Sequence, residues 1–219
     1  FAEGHAVVQI QQLFKHIHAP EGERPAALVV EPATGEGLER VARNAVKAGI
    51  GWILVNAHVP YLDELRRAHP GLPIAMIGSD QREVGRIQGR QCRALVPAGG
   101  HLLCVQGPAD STATAGRLEG LKEAVGAGFE VRGLNGDWTE AGGEKAVVSW
   151  LRLKTAEAFR PDVVACQNDS MALGARKALR EHRKDWGNVP FLGCDGLPEG
   201  GQKMVADGVL AATIVPPSN

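Results

Sequence analysis

Short apolar, β-branched runs recur along this chain, and the gaps between several of them carry an amphipathic helical pattern. Apolar residues three and four positions apart indicate helices before the first run, between runs and after the sixth. This alternation predicts an α/β fold, in which helices connect parallel strands and cover both faces of the sheet. The eight runs that we expect to form strands are residues 27–30, 52–55, 74–77, 102–105, 129–131, 163–166, 191–194 and 211–215.

Charge and length exclude several classes of partner. The 219 residues carry 24 Lys and Arg against 25 Asp and Glu, without a basic block, so we expect no nucleic-acid partner. No run of 18 apolar residues exists, so we also expect no membrane insertion. Residues 1–5 do not look like a secretory signal, which is either removed or absent. The length fits one large α/β unit or two small lobes.

The chain carries no recognisable catalytic motif. It lacks a nucleotide-binding P-loop, a GxGxxG turn, an HExxH helix and a GxSxG elbow. Among seven histidines only His16 and His18 are close in sequence, and two residues apart on a helix they point to different faces. We therefore expect no catalytic residue, no metal site and no cofactor.

Two sets of small residues suggest close packing. Gly85, Gly89, Cys92 and Val96 form one stripe of a helix, which we expect to approach a sheet closely. Cysteines at 92, 104, 166 and 194 lie in apolar segments without the clustered spacing of a disulfide framework or a metal site. We interpret them as buried small hydrophobic residues with free thiols.

Polar residues follow four of the apolar runs, where the carboxyl ends of parallel strands open onto a binding crevice. They are Asn56, the stretch 106–114, residues 167–169 and Asp195. We expect Asp169 to cap the helix that follows it, which leaves Asn168 to face a ligand. For Asp195 a turn or cap role and a ligand role remain open.

Trp138 lies between polar neighbours, which favours a loop position, although a core position remains open. An aromatic face covers the C–H side of a sugar ring, while carboxylate and amide groups pair with adjacent hydroxyls. Together these residue types are typical of a site for a neutral polyhydroxyl ligand.

Three C-terminal motifs carry a family resemblance. CQNDSMALGA at 166–175, FLGCDG at 191–196 and DGVLAATI at 207–214 resemble the type I periplasmic sugar-binding proteins, in particular their ribose-binding members. GSDQ at 78–81, GRLEGL at 116–121 and the pair 137–138 are similar to the same superfamily, which includes the effector domains of lactose-repressor-type regulators. The similarity runs from about residue 7 to the end of the chain.

The resemblance implies an α/β fold of two Rossmann-like lobes with parallel sheets and hinge crossovers, which close on one sugar. It implies an incomplete N-terminal lobe at 1–79, a C-terminal lobe at 80–215 and the start of a third crossover at 216–219. The first strand, first helix and second strand of the family have no counterpart here, so we expect a chain truncated at both ends.

The resemblance also assigns ligand roles. Asn168 and Asp195 match positions that bind sugar hydroxyls, Trp138 matches an aromatic that packs on the ligand, and Asn56 replaces a family Asp. Ribose specificity does not carry over, because Ala115 replaces a ligand Arg and Pro216 replaces a hinge-side Gln. The polar substitutes near Ala115 are Ser111, Thr112 and Thr114.

These observations favour a solute-binding protein that captures a sugar or related polyol for an ABC-type transporter, with the permease as partner and the periplasm as location. An effector or sensor domain of a lactose-repressor-type regulator or a sensor kinase is the alternative, and a regulator would place the chain in the cytoplasm. An enzyme on a doubly wound sheet is the third class, and the sequence offers it no nucleophile and base pair.

Overall fold

The computed structural model describes residues 5–33, 37–57, 59–186 and 188–216, and within these ranges the chain divides into two compact units. The first unit holds the chain up to Ser79 together with Asp110–Ala113. The second unit holds Asp80–Ala109 and the chain from Thr114 onward. Most of the segment in which we expect a third crossover, 217–219, lies outside the described residues.

The first unit contains a three-stranded parallel sheet in the order β1-β2-β3. Each strand coincides with one of the apolar runs. The elements are α1 at Ala6–Ile17, β1 at Ala27–Val30, α2 at Glu39–Lys47, β2 at Gly51–Val55, α3 at Tyr61–Ala68 and β3 at Ile74–Ile77.

The two faces of this first sheet differ. Leu28, Trp52 and Ile74 point to one face and form a buried cluster with apolar residues of α1, α2 and α3. Val29 and Ile77 are 67% and 49% exposed, which places apolar surface of the strands outside that cluster. The cluster therefore sits on one side of the sheet.

The second unit contains a four-stranded parallel sheet in the order β5-β4-β6-β7. Its strands are β4 at Gly100–Gln106, β5 at Phe129–Asn135, β6 at Val163–Cys166 and β7 at Phe191–Leu192. The helices are α4 at Gln81–Leu95, α5 at Thr112–Val125, α6 at Glu140–Leu151, α7 at Lys154–Glu157, α8 at Asp169–His182 and α9 at Lys203–Ala206. The first two residues of α5 group with the first unit.

Both faces of the second sheet are buried. Strand β6 is buried along its whole length, with Val164 and Cys166 in a cluster with α6 and α8. Val163 and Ala165 alternate to the other face and pack with residues of α4 and α5. Burial on both faces explains why β6 is a continuous apolar run. The parallel, doubly covered sheet confirms the α/β fold class.

The prediction of a strand at 211–215 is wrong in part. Residues 211–215 form a single parallel bridge, between Leu192 and Ala212, and no strand. The backbone still follows β7, because Gly193 N–H donates to the Ala212 carbonyl at 2.9 Å and Asp195 N–H to the Ile214 carbonyl at 3.0 Å. Asp195 and the next glycine both adopt positive φ, so the extended pairing ends at Asp195.

The small-residue stripe of α4 meets both the sheet and a helix: Cys92 is buried with Leu102 and Cys104 of β4, as we expected, whereas the two glycines contact a helix. A Cβ on Gly85 would lie 2.1 Å from the Arg117 carbonyl oxygen, and one on Gly89 would lie 2.6 Å from Ala124 Cβ. Both contacts are with α5. The glycines therefore allow two helix backbones to touch.

All four cysteines are buried and free, which confirms their assignment as small hydrophobic residues. Burial raises the pKa of the Cys92 and Cys104 thiols to about 12 and that of Cys194 to about 11. Thiols with such pKa values are protonated and unreactive at neutral pH.

Among the described residues, no helix combines the length and the apolar character that crossing a bilayer requires.

Candidate functional site

Three predicted site residues meet at the carboxyl edge of the second sheet. Asn168 follows β6, Asp195 follows β7, and Trp138 lies in the loop between β5 and α6. The Asn168 side chain donates from Nδ2 to the Trp138 carbonyl oxygen at 2.8 Å. The Asp169 N–H donates to the Cys194 carbonyl at 2.7 Å, which joins the ends of β6 and β7.

Asn168, and not Asp169, caps α8. Its Oδ1 accepts from the Met171 N–H at 2.8 Å, and its extended backbone lies just outside the helix. Our expectation of a cap at Asp169 was wrong by one residue, because Asp169 is already the first helical position. Asn168 is only 7% exposed. Hydrogen bonds therefore hold both the nitrogen and the oxygen of its amide, which leaves one N–H and one oxygen lone pair for a ligand.

Asp169 acts as a buried clamp on the loop after β7. Its Oδ1 accepts from the Thr213 hydroxyl at 2.6 Å and its Oδ2 from the Gly196 N–H at 2.8 Å. Burial raises the pKa of this carboxyl, although the Thr213 and backbone hydrogen bonds oppose the rise. The clamp fixes the residue directly after Asp195.

Asp195 presents a carboxylate on a strained backbone. Its φ is +110°, a value that residues with a side chain rarely adopt, and the residue is exposed. Although the residue as a whole is exposed, partial desolvation of its carboxyl raises its pKa to about 6, with Arg117 acting in the opposite direction and Asp169 adding to the rise. A polar residue held in this conformation at a strand end is typical of a functional position.

Trp138 occupies a loop and is half-buried, which favours the loop assignment over the core one. Its φ is +71°. The indole lies on the backbone of Gly107, where a Cβ would be 2.1 Å from the ring atom Cζ2. Asp137 Oδ1 shapes the loop by accepting from Thr139 N–H at 3.0 Å and from its hydroxyl at 2.6 Å. These hydrogen bonds lower the pKa of Asp137.

A network beneath this edge joins the strand ends. Buried Gln167 accepts from the Gly107 N–H at 3.0 Å and donates to the Thr114 carbonyl at 3.1 Å. Arg117 donates from Nη1 to the Gln167 carbonyl and from Nε to Gln81 Oε1, the latter at 2.7 Å. The Arg117 Cζ lies 5.6 Å from the centre of the Trp138 ring.

The first unit has a smaller polar edge of its own. Asn56 follows β2 with φ of +56° and is exposed. Its Nδ2 donates to Glu31 Oε1 at 3.3 Å, and Glu31 follows β1. Gly78, which follows β3, lies close to Asn56, since a Cβ on Gly78 would be 3.1 Å from the Asn56 side-chain oxygen.

The polar substitutes near Ala115 are placed differently. Ser111 and Thr112 group with the first unit, whereas Thr114 belongs to the second. Thr114 is 3% exposed. Because its side chain is buried within the second unit, we do not include Thr114 among ligand-facing residues.

Two functional candidates were not identified from the sequence. Glu31 was overlooked although it directly follows a predicted strand, the signal that selected the other residues. Arg117 was noted only as part of GRLEGL, because nothing in its own neighbourhood indicates that its side chain reaches Gln167, 50 positions away.

The carboxyl edge of the second sheet is suited to hydrogen bonding with a ligand. Asn168 offers an amide, Asp195 a carboxylate and Trp138 an aromatic face, a set that matches hydroxyls and C–H surfaces. Within the described ranges, no three His, Cys, Asp or Glu side chains are grouped so that they could hold a metal ion.

Comparisons with known proteins point to one family. A family model described as a periplasmic binding protein domain matches residues 1–219. The ribose import binding protein RbsB of Escherichia coli is 36% identical over 160 residues, which are 72% of this chain and 52% of that protein. A D-ribose/D-allose-binding protein of Pseudomonas aeruginosa is 29% identical over a stretch that covers 85% of this chain and 56% of that protein. The chain spans about half the length of these curated relatives.

Solved structures show the same fold. An ABC transporter solute-binding protein from Burkholderia multivorans superposes with a TM-score of 0.79 at 26% identity, covering 99% of this chain and 72% of that one. The arabinose-binding component of an ABC transporter from Shewanella sp. ANA-3 gives a TM-score of 0.76 at 25% identity, covering 92% of this chain and 64% of that one.

Proposed function

We propose that this chain, which belongs to the periplasmic binding protein family, captures a sugar or related polyol as a solute-binding protein. The two compact units would correspond to the two lobes of that family. Asn168, Asp195 and Trp138 would hold the ligand from the second unit, and Asn56 would do so from the first. Ser111 and Thr112 remain further candidates.

One observation carries the proposal: an amide, a carboxylate and an indole converge at a single sheet edge on fixed backbones. The Asn168 amide is held at 2.8 Å by both the Trp138 carbonyl and the Met171 N–H, so its orientation is set before a ligand arrives. A polar edge built in advance loses little conformational entropy on binding. Charged and amide groups of this kind hold hydroxyls by hydrogen bonds of about 1–3 kcal/mol each.

The partner and location follow from the relatives. Relatives are named as ribose import and xylitol-binding proteins, and a structural neighbour as a component of an arabinose ABC transporter. We therefore propose delivery to the permease of an ABC-type transporter in the periplasm, and binding without turnover.

Calorimetric titration of the purified protein with D-ribose, D-allose, xylitol and L-arabinose tests the proposal. We expect saturable one-to-one binding of at least one of them, and the same sugar recovered unchanged after incubation. Asp195→Ala should weaken this binding, whereas Arg93→Met, a change at an exposed residue of α4, should not.

Two results would contradict the proposal. Absence of binding by a protein whose circular dichroism shows it to be folded would exclude these sugars as ligands. Conversion of a bound sugar would make the chain an enzyme. Deletion of the gene should lower uptake of the bound sugar, and a change in gene expression with normal uptake would instead indicate the sensor role.

A further inference from the structure

One buried side chain of the second unit is polar at a position where the helical pattern predicts an apolar residue. Gln88 lies in the middle of α4 and is 2% exposed. One turn before it Val84 packs with Cys194, and one turn after it Cys92 packs with Leu192. Residues four positions apart share one face of a helix, so Gln88 faces the sheet between these two apolar contacts. Burial of an amide is unfavourable unless its groups form hydrogen bonds, so its contacts are informative.

The amide nitrogen of Gln88 contacts the ends of two strands at once. Its Nε2 donates to the Cys166 carbonyl at 2.8 Å and to the Gly193 carbonyl at 3.3 Å. Cys166 is the last residue of β6, and Gly193 directly follows β7. A primary amide carries two N–H groups, so each carbonyl can receive one of them. One side chain of α4 therefore bridges β6 and β7.

This bridge lies where the backbone pairing of the two strands ends. The last pair of their register is Ala165 with Leu192. The next residue along the chain, Gly193, directs its N–H to the Ala212 carbonyl at 2.9 Å and so away from β6. The Gln88 amide therefore connects the two chains at the point where regular pairing stops connecting them.

The two predicted hydroxyl-binding residues lie just beyond the bridged carbonyls. Asn168 follows Cys166 by two residues, and Asp195 follows Gly193 by two. Two residues of chain span at most about 7 Å, so a shift of either carbonyl moves the side chain that follows it. Gln88 is bonded to backbone beneath the edge, and it acts on a ligand only through these two residues.

We propose that Gln88 is a positioning residue of the carboxyl edge of the second sheet, whose amide fixes the spacing between the Asn168 and Asp195 side chains. The importance of this spacing for affinity rests on the proposed function, whereas the effect of Gln88 on the two side chains does not. Two groups that hold hydroxyls of one sugar must be kept at one separation. A spacing set before binding saves the entropy of ordering the two groups.

Gln88→Met tests the bridge, because methionine has nearly the size of glutamine but no N–H to donate. The first readout is the NMR spectrum of ¹³C,¹⁵N-labelled protein without any ligand. We expect the Asn168 side-chain amide and the Asp195 backbone amide to shift in this variant. Asn168→Asp identifies the side-chain signal by its disappearance.

Cys92→Ala is the matched control in the same helix. It removes a buried sulfur one turn away and leaves a cavity, so it lowers stability while the Gln88 amide remains. Its Asn168 and Asp195 signals should stay at the parental positions. A role of Gln88 in stability alone would make the two variants alike.

Calorimetry with the sugar that the parent binds provides the second readout. We expect Gln88→Met to bind it about tenfold more weakly, the effect of roughly one lost hydrogen bond, and Cys92→Ala to bind it as the parent does. If no sugar binds to the parent but the Asn168 and Asp195 signals shift, the proposed function fails and the effect of Gln88 stands. If a sugar binds and Gln88→Met keeps parental affinity, or if neither signal moves, the role of Gln88 fails alone.

A measurement on the parent applies if Gln88→Met does not fold. The side-chain NH₂ group of Gln88 is bonded to two carbonyls, so its hydrogens should exchange with solvent more slowly than those of Gln11, an exposed residue of α1. Equal exchange of the two groups would overturn the bridge and the proposal with it.

Discussion

Replacing Asp169 by asparagine tests the clamp that holds the loop after β7. The parent carboxylate accepts from the Thr213 hydroxyl at 2.6 Å and from the Gly196 N–H at 2.8 Å. Asparagine keeps the shape but has one acceptor oxygen, so its NH₂ group must face one of these two donors. The change therefore removes a hydrogen bond without opening a cavity.

The size of the effect follows from burial. A buried donor left without an acceptor costs about 1–3 kcal/mol. Removing the charge returns part of that loss, because burial already raises the Asp169 pKa and so disfavours the carboxylate. We expect the free energy of unfolding to fall by about 1–2 kcal/mol at pH 7.

The direction of the pKa shift also sets the pH dependence. Because the folded pKa of Asp169 lies above the unfolded one, its contribution to stability is complete below the unfolded pKa and is lost as the pH rises through the folded pKa. The deficit of Asp169→Asn should therefore be larger near pH 4 than at pH 7.

Urea unfolding followed by circular dichroism measures the change. Asp207→Asn is the matched control, because Asp207 is exposed and pairs with Lys203 at 2.8 Å across one helical turn. Such surface pairs contribute about 0–1 kcal/mol, so the control should lose less than the buried variant. Equal midpoints for the parent, Asp169→Asn and Asp207→Asn would refute the clamp.

Three further predictions concern the site and the core. Asp195→Ala should weaken binding of the sugar identified by calorimetry by about 1.5–3 kcal/mol. Because the Asp195 pKa is raised to about 6, the affinity of the parent protein should fall about tenfold from pH 7 to pH 5. An affinity that does not change with pH would show that the ionised carboxylate takes no part in binding. A thiol reagent should detect all four cysteines in denaturant and react slowly in the native protein, and fewer than four would indicate a disulfide. Trp138→Phe should cost about 0.5–1.5 kcal/mol of affinity and most of the ligand-induced fluorescence change; full retention of both would place the indole away from the ligand.

Much of the fold could be predicted from the sequence because its signals are local. Seven of the eight apolar runs form strands, and the helical patterns before the first run, between runs and after the sixth fall on helices. The run at 211–215 failed because its strand character depends on continued pairing with β7. In the structure that pairing amounts to one bridge, between Leu192 and Ala212, and its extent depends on residues outside the run itself.

The candidate site was predictable to a lesser degree. The rule that polar residues follow strands selected Asn168, Asp195 and Asn56, and all three lie at sheet edges. It could not say which of Asn168 and Asp169 caps α8, since both types cap helices and the choice depends on where the helix begins. It also did not separate buried Thr114 from its neighbours.

The sequence by itself determined the alternation of strands and helices, the burial of β6 on both faces and the residue types available at the strand ends. These depend on periodicity, and periodicity is a property of neighbouring residues. Only the tertiary structure decided that Gln88 reaches the Cys166 carbonyl over 78 positions and that Arg117 reaches the Gln167 carbonyl over 50. Such partners are chosen by packing, because the distance between two side chains in space is set by the strand order and the helix contacts and not by their separation along the chain.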